Sequence, residues 1–179
     1  PLQVNTTVCG DTAPYLEEMA EFVQGLGIVF WEVFFLVPMG RGSVLTGLSA
    51  SECERLFEVI YGLQKKGDFI VKVTEAPHYR RHVAQREMKE EIGYGARDLK
   101  EINAFSLAPA YMSHVTHIVL ARDLYPEKLV GDEPETIDVV QWSLHDLRTL
   151  AEREDCTEGR TIAALYYARD YLNDENRHD

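Results

Sequence analysis

The segment at residues 28–37 most limits what this chain can fold into. Its residues are apolar or aromatic except for Glu32, and Gly25 and Gly27 come just before it. The run is too short to cross a bilayer, which needs about 20 apolar residues. A near-continuous apolar run of this length is typical of a strand that is covered on both faces in a parallel sheet.

Helical and strand-like segments alternate around this run. Three strands and two helices are expected in chain order at residues 4–8, 11–25, 28–37, 53–63 and 69–73. Ser49 and Glu52 form a capping-box pattern ahead of the second helix. Right-handed crossovers through the two helices would make the three strands parallel, so the first half predicts a β-α-β-α-β unit.

The second half has a different pattern. A helix is expected at residues 77–92, ended by Gly93, and a final helix at residues 158–172. Strand-like stretches lie between them, at residues 102–107, 115–121 and 137–142. Their connections are too short for crossover helices, so an antiparallel or mixed sheet is expected.

Charge and cysteine content limit the possible partners and compartment. The three cysteines are far apart, which predicts reduced thiols, and the start of the chain lacks a signal-like segment, so we expect a cytoplasmic protein without membrane partners. Residues 1–86 carry 8 basic and 10 acidic side chains, whereas residues 87–179 carry 10 and 20. The acidic second half argues against nucleic acid as a partner and is compatible with divalent cations that bridge to a phosphate substrate.

The densest chemistry lies in the string REMKEEIGY at residues 86–94. On a helix, Glu87, Glu90 and Glu91 stand at i, i+3 and i+4, so their carboxylates project from one side. Such oxygen ligands suit Mg²⁺, which also binds substrate phosphates. The alternative is a solvated charged face in which Arg86 pairs with Glu90.

This string resembles the second half of the Nudix box. Three downstream strings support the resemblance: APAYMS at residues 108–113, ARDLYP at 121–126 and GDEPE at 131–135. Together they resemble the ADP-compounds hydrolase branch of the Nudix family over roughly residues 84–179. The resemblance implies hydrolysis of the pyrophosphate of ADP-ribose-like nucleoside diphosphates with Mg²⁺ or Mn²⁺.

The resemblance also implies roles for individual residues. Glu87, Glu90 and Glu91 would bind metal, and Arg86 would orient a glutamate through a salt bridge. Glu91 counts among the catalytic candidates as well. Two further sets of residues are implied: Glu133 or Glu135 to activate the attacking water, and Tyr111 and Ser113 to contact the substrate. For Tyr111 a place in the core is the alternative, and for GDEPE an exposed turn.

The chain departs from a complete Nudix box upstream of Arg86. The full pattern has a glycine fourteen residues before its arginine and a glutamate eight residues before it, and here Lys72 and His78 stand at those positions. The strands that precede the box in that family are replaced by the β-α-β-α-β segment. Metal coordination and nucleoside binding would therefore depend on residues of this segment in place of the missing strands and glutamate.

The first segment resembles part of a radical-SAM barrel, over roughly residues 3–85. The resemblance is carried by VFFLVPMGRG at residues 33–42 and VKVTEAPHYRR at 71–81. Radical-SAM chemistry requires a CxxxCxxC loop for its four-iron cluster. Cys9, Cys53 and Cys156 do not have that spacing, so radical chemistry by this chain alone is not expected.

The sequence therefore predicts a chimeric α/β protein whose second half is α+β. Residues 1–86 form the β-α-β-α-β segment, and residues 87–179 form an incomplete Nudix-like segment with its helix, mixed or antiparallel strands and a C-terminal helix; the two can also pack as one domain. A Nudix-type pyrophosphatase is the first functional hypothesis. A fused, non-catalytic protein with a radical-SAM remnant is the second. A homodimer is compatible with the resemblance, which leaves the oligomeric state open.

Overall fold

The computed structural model describes residues 2–106, 110–111, 114–131 and 137–178 of the chain. Its strands in chain order are β1 Gln3–Val8, β2 Phe30–Phe35, β3 Ile70–Thr74, β4 Tyr94–Ser106 and β5 Val115–Pro126. Its α-helices in chain order are α1 Leu16–Gly25, α2 Ala50–Lys66, α3 Tyr79–Glu91, α4 Leu147–Ala151 and α5 Gly159–His178. Short 3-10 helices occupy Ala13–Tyr15, Gly40–Val44 and Leu144–Asp146.

The chain divides into two compact units, Pro1–Ala84 and Gln85–Asp179, with the division inside α3. The first unit contains a three-stranded parallel sheet in the order β1-β2-β3. Its strands are joined by α1 and α2, so the expected β-α-β-α-β order is present. The capping box at Ser49 and Glu52 is also present, and it starts α2.

The core of the first unit lies between the sheet and the two helices. Burial alternates along β2, so that Trp31, Val33 and Phe35 point into this core. The helices contribute one apolar face each, made of Leu16, Ala20 and Val23 from α1 and Leu56, Phe57 and Ile60 from α2. Burial of these side chains is the main stabilising term for this unit, at about 25 cal/mol per Å² of apolar surface.

The other face of the sheet is polar at its centre, which corrects the expectation that β2 is covered alike on both faces. Glu32 lies between its strand neighbours and accepts hydrogen bonds from Lys72 Nζ at 2.8 Å and Thr74 Oγ1 at 2.9 Å. These two partners, Lys72 first, lower the pKa of Glu32. The single charge in the apolar run is thus placed on the less buried face and satisfied there.

The second unit contains a long antiparallel ribbon of β4 and β5. A β-bulge interrupts its register between Glu101 and Asn103. β4 begins at Tyr94, eight residues before the expected start, because its first half, YGARDLKE, has few of the β-branched and aromatic residues that mark a strand in sequence.

The expected strand at residues 137–142 is wrong, because this described segment contains no strand. Val139 and Val140 are exposed there, so the apolar letters of this segment do not report a buried strand. The final helix is confirmed and runs longer than expected, to His178. The architecture is therefore mixed α/β, with one parallel and one antiparallel sheet, as the sequence predicted.

Among the described residues, none of the helices is both long enough and apolar enough to traverse a lipid bilayer.

Candidate active site

The end of α3 carries the three predicted carboxylates. Glu90 is buried, whereas Glu87 and Glu91, one turn apart, are exposed. The helix ends because Gly93 adopts a left-handed conformation with φ of 76°, which favours glycine. A side chain at this position would also approach Lys128 to 3.3 Å. The sequence REMKEEIGY therefore places an acidic surface on the last two turns of a helix with a sharp stop.

Arg86 and Glu90 form the predicted i, i+4 ion pair. Arg86 Nη2 lies 2.9 Å from Glu90 Oε1, and only 7% of the Glu90 side chain is exposed. Taking a charged side chain out of water is costly unless it pairs with an opposite charge. The ion pair therefore fixes the position of the Glu90 carboxylate.

The segment after β5 is anchored on the same end of α3. Lys128 Nζ donates hydrogen bonds to the carbonyl oxygens of Glu90 and Glu91, the latter at 3.0 Å. These carbonyls belong to the last turn of the helix, which has no intrahelical partners for them, and a lysine there also complements the helix dipole. Gly131 comes close to the same turn, since a Cβ added to it would lie 3.3 Å from the Glu90 carbonyl oxygen. The chain thus enters GDEPE next to the predicted metal ligands.

A second set of contacts holds this segment from the side. Lys89 Nζ lies 2.9 Å from Glu127 Oε2 and 5.7 Å from the centre of the Tyr125 ring. Burial disfavours the charged form of Lys89, but Glu127 and Tyr125 outweigh it and raise its pKa. Gln85 donates to the Tyr125 hydroxyl at 2.9 Å. Helix α3 and the end of β5 are therefore held together by polar contacts.

The remaining predicted site residues lie outside this cluster or outside the described part of the chain. Tyr111 lies in the connection between β4 and β5 with 92% of its surface exposed, so the alternative that it belongs to the core is wrong. Ser113, Glu133 and Glu135 lie outside the described residues.

The donor chemistry at the end of α3 suits a hard cation. Glu87, Glu90 and Glu91 offer carboxylate oxygens, which Mg²⁺ and Mn²⁺ prefer to nitrogen or sulfur. Within residues 2–106, 110–111, 114–131 and 137–178, however, no three acidic, histidine or cysteine side chains are already grouped as a metal-binding set. The three carboxylates are therefore possible ligands on one helix, and binding of a cation would require their side chains to move closer together.

Sequence reasoning missed the residues that position this site. Lys128, Lys89 and Gln85 act through contacts with residues that lie up to 40 positions away. Nothing in the neighbouring sequence indicates this role, since exposed lysine and glutamine residues are common on any protein surface.

Comparison with known proteins gives two kinds of similarity. The chain is 46% identical over 94 residues to the ADP compounds hydrolase NudE of Escherichia coli, covering 52% of this chain and 50% of the relative. It is 39% identical over 92 residues to an AdoMet-dependent heme synthase of Methanosarcina barkeri, covering 51% of this chain and 26% of the relative. No protein-family model matches the chain.

One solved structure agrees with the first similarity. The crystal structure of an ADP compounds hydrolase matches with a TM-score of 0.50 and 45% sequence identity, covering 54% of this chain and 52% of that one. The chain spans about half the length of the ADP compounds hydrolases and about a quarter of the heme synthase that it matches. About half of this chain is therefore homologous to ADP compounds hydrolases.

Proposed function

We propose that this protein is a Nudix-type hydrolase that cleaves the pyrophosphate of ADP-ribose-like nucleoside diphosphate compounds in the presence of Mg²⁺ or Mn²⁺. One observation carries the proposal. The helix with the sequence REMKEE presents Glu87 and Glu91 to solvent, holds Glu90 through Arg86, and has the start of the GDEPE segment anchored at its end. The similarity to ADP compounds hydrolases supports the substrate class.

Each residue has a defined part in this hydrolysis. Glu87, Glu90 and Glu91 would hold the cation, and the cation would neutralise the pyrophosphate oxygens and lower the pKa of a bound water. Arg86 holds the Glu90 carboxylate in place through the ion pair between Nη2 and Oε1. Lys128 acts as a positioning residue by fixing residues 127–131 to the helix.

The acidic segment supplies the proton acceptor. Glu133 or Glu135 would take the proton of the attacking water, since a general base must lie within hydrogen-bond reach of that water. Tyr111 and Ser113, in the connection between β4 and β5, would contact the nucleoside. An aromatic ring as exposed as that of Tyr111 is suited to stack on an adenine base.

We also propose that the two similarities belong to different parts of the chain. The ADP-compounds hydrolase similarity would lie at residues 84–179, where REMKEE and GDEPE occur, and the heme-synthase similarity at residues 3–85. The resulting protein lacks the box glycine and first glutamate, whose positions are held by Lys72 and His78. Catalysis would then depend on the three carboxylates of α3 and the acidic segment.

A non-catalytic fused α/β protein is the second candidate. It is favoured by the match to only about half of each ADP compounds hydrolase and by the absence of the family's upstream glutamate. Its first segment would be a radical-SAM remnant without an iron-sulfur cluster. Anaerobic reconstitution with iron and sulfide would then give none of the visible charge-transfer absorbance of an iron–sulfur cluster.

Product analysis distinguishes the two candidates, because a non-catalytic protein would release no AMP from ADP-ribose. The full chain is incubated with ADP-ribose and Mg²⁺ or Mn²⁺, and AMP and ribose 5-phosphate are measured by chromatography. The hydrolase produces both in equal amounts, produces none when EDTA removes the cation, and does not attack AMP itself, which has no pyrophosphate. Release of inorganic phosphate from AMP at a similar rate would show a phosphomonoesterase instead.

A further inference from the structure

Tyr125, near the end of β5, lies against Gly95 of β4. The two residues are directly opposite one another in the register of the strands. A Cβ atom added to Gly95 would stand 2.4 Å from Cζ of Tyr125 and 2.6 Å from its hydroxyl oxygen, which is too close for any side chain. The φ angle of Gly95 is not in the left-handed region, so glycine is needed here for space and not for backbone conformation. A side chain at position 95 would therefore displace the Tyr125 ring.

The Tyr125 side chain contacts two turns of α3. Gln85 Nε2 donates to the Tyr125 hydroxyl at 2.9 Å, and Lys89 Nζ lies 5.7 Å from the centre of the ring. Gln85 and Lys89 are four residues apart, so they lie on one face of the helix. Gln85 also donates to the Ala96 carbonyl at 3.0 Å and accepts from the Ala96 N–H at 3.4 Å. Tyr125 therefore helps to hold this face of α3 against the ribbon.

The other face of α3 carries two of the proposed metal ligands. Each residue of a helix is turned by about 100° from the one before it, so Glu87 and Glu91 are turned by about 200° from Gln85 and Lys89. Both glutamates are exposed. The contacts with Tyr125 therefore fix the side of α3 that carries no exposed ligand and leave the two carboxylates on the solvent side.

Tyr125 also comes just before the segment that leads to the proposed proton acceptor. Glu127, two residues further on, pairs with Lys89 at 2.9 Å. Arg97 of β4 lies 5.1 Å from the centre of the Tyr125 ring and pairs with Asp123 at 3.0 Å. The ring is thus in contact with a cation from α3 and a cation from β4, and both contacts are favourable for an aromatic ring.

We infer that Tyr125 is a positioning residue of the proposed hydrolysis and sets the distance between the carboxylates of α3 and the segment after β5. The inference rests on the proposed function and adds to it a residue that touches neither cation nor substrate. A general base must lie within hydrogen-bond reach of the attacking water, and a misplacement of about 1 Å can cost about a hundredfold in rate. The hydroxyl of Tyr125 acts through Gln85, so its loss should lower turnover.

Tyr125→Phe tests the inference, because it removes the hydroxyl and keeps the ring against Gly95. We expect kcat for AMP release from ADP-ribose in saturating Mg²⁺ to fall about tenfold, with a change in KM for ADP-ribose of less than about twofold. The urea midpoint of unfolding should shift by less than about 0.5 M, because one neutral hydrogen bond contributes little to stability. A residue that only stabilised the fold would leave kcat of the folded protein unchanged.

A mutant cycle with Gln85→Met tests whether the two side chains act together. This variant removes the donor to the Tyr125 hydroxyl and should lower kcat as well. Because the hydroxyl acts through Gln85, the double variant should be about as slow as the slower single variant, and the two losses should not multiply. Circular dichroism of every variant verifies folding.

Tyr171→Phe is the matched control. The Tyr171 hydroxyl donates to Glu175 at 2.9 Å within α5, in the same unit as Tyr125, so this variant loses the same atom and one hydrogen bond on another helix. Its kcat should stay within about twofold of the wild-type value.

The results that would overturn the inference also separate it from the proposed function. If the wild type releases AMP and Tyr125→Phe has the same kcat, the positioning role is wrong and the hydrolysis stands. If the wild type releases no AMP, the hydrolysis is wrong and the positioning role with it. Losses that multiply in the double variant, or an equal loss of kcat in Tyr171→Phe, would overturn the positioning role as well.

Discussion

Arg86 and Glu90 form an ion pair in which Nη2 and Oε1 lie 2.9 Å apart and the carboxylate side chain is 7% exposed. Removing the guanidinium would take a charged partner from a carboxylate that is largely buried. We therefore expect Arg86→Met to lower the free energy of unfolding by about 2 kcal/mol. Urea denaturation followed by circular dichroism measures this change.

The chain offers a matched control for that variant. Arg148 and Glu152 are also an i, i+4 pair, at 2.8 Å, but their side chains are 88% and 64% exposed. Arg148→Met should change the free energy of unfolding by no more than about 0.5 kcal/mol. Equal losses in the two variants would show that burial of Glu90 is not what makes its ion pair matter.

Lys128 ties the segment after β5 to the end of α3 through the carbonyls of Glu90 and Glu91. We expect Lys128→Met to destabilise the protein by about 1 kcal/mol, because it removes a charged donor from the helix terminus. The rate of hydrolysis should fall by more than the loss of folded protein explains, because the acidic segment is no longer held to the helix. Lys128→Arg should retain most of both.

Lys66→Met serves as the control for Lys128→Met, because Lys66 is an exposed lysine in the last turn of α2, in the other unit. The two variants are compared by urea denaturation and by AMP release. Loss of hydrolysis in Lys66→Met to the same extent would contradict a positioning role for Lys128.

Glu158 caps the start of α5 and titrates at low pH. Arg160, then the hydroxyl and N–H of Thr161, lower the pKa of the Glu158 carboxyl from 4.5 to about 2. A lowered folded-state pKa means that this cap stabilises the fold above about pH 4.5 and that the stabilisation is lost as pH falls towards 2.

The side-chain carboxyl resonance of Glu158, followed by NMR against pH, should therefore have its midpoint near 2. Glu158→Gln should make stability less dependent on pH between those limits, because an amide does not titrate. A midpoint near 4.5 would show that the carboxylate does not cap α5 in solution.

Each unit holds one of the two tryptophans, Trp31 in the first and Trp142 in the second. In a Trp142→Phe background, fluorescence reports only on buried Trp31 and thus on the first core. Leu56 is 1% exposed within that core, so Leu56→Ala should lower the free energy of unfolding of the first unit by about 3 kcal/mol. Urea titration of Trp31 fluorescence measures it.

The control for this experiment is Leu45→Ala, an exposed leucine of the same unit, which should leave the Trp31 transition nearly unchanged. If Leu56→Ala behaves like Leu45→Ala, the Trp31 signal does not report the core described for the first unit.

The sequence predicted the first unit well because local and global signals agree there. The apolar run around Trp31 and the capping box at Ser49 mark elements that the structure contains. The prediction was wrong at Glu32. The apolar run suggested a strand covered on both faces, whereas Glu32 lies on the less buried face of the sheet and pairs there with Lys72.

The second unit was harder to predict because its elements depend on distant partners. The first half of β4 is polar and is stabilised by pairing with β5, so its residues have no strand signal of their own. Val139 and Val140 suggested a strand, but among the described residues no strand pairs with this segment and both side chains are exposed. Arg86 and Glu90 were found from spacing alone, whereas Lys128 required the fold.

The proposed metal-dependent hydrolysis is tested by comparing AMP release from ADP-ribose by the wild type and by Glu91→Gln, in the presence of Mg²⁺. Glu91 is an exposed carboxylate of α3 that we propose as a ligand of the cation, and the amide removes its charge with almost no change in size. Glu17→Gln on α1 makes the same change on another exposed helix surface. We predict AMP release by the wild type and by Glu17→Gln, and a loss of at least about a hundredfold in Glu91→Gln. AMP formation by the wild type no faster than by Glu91→Gln would contradict it.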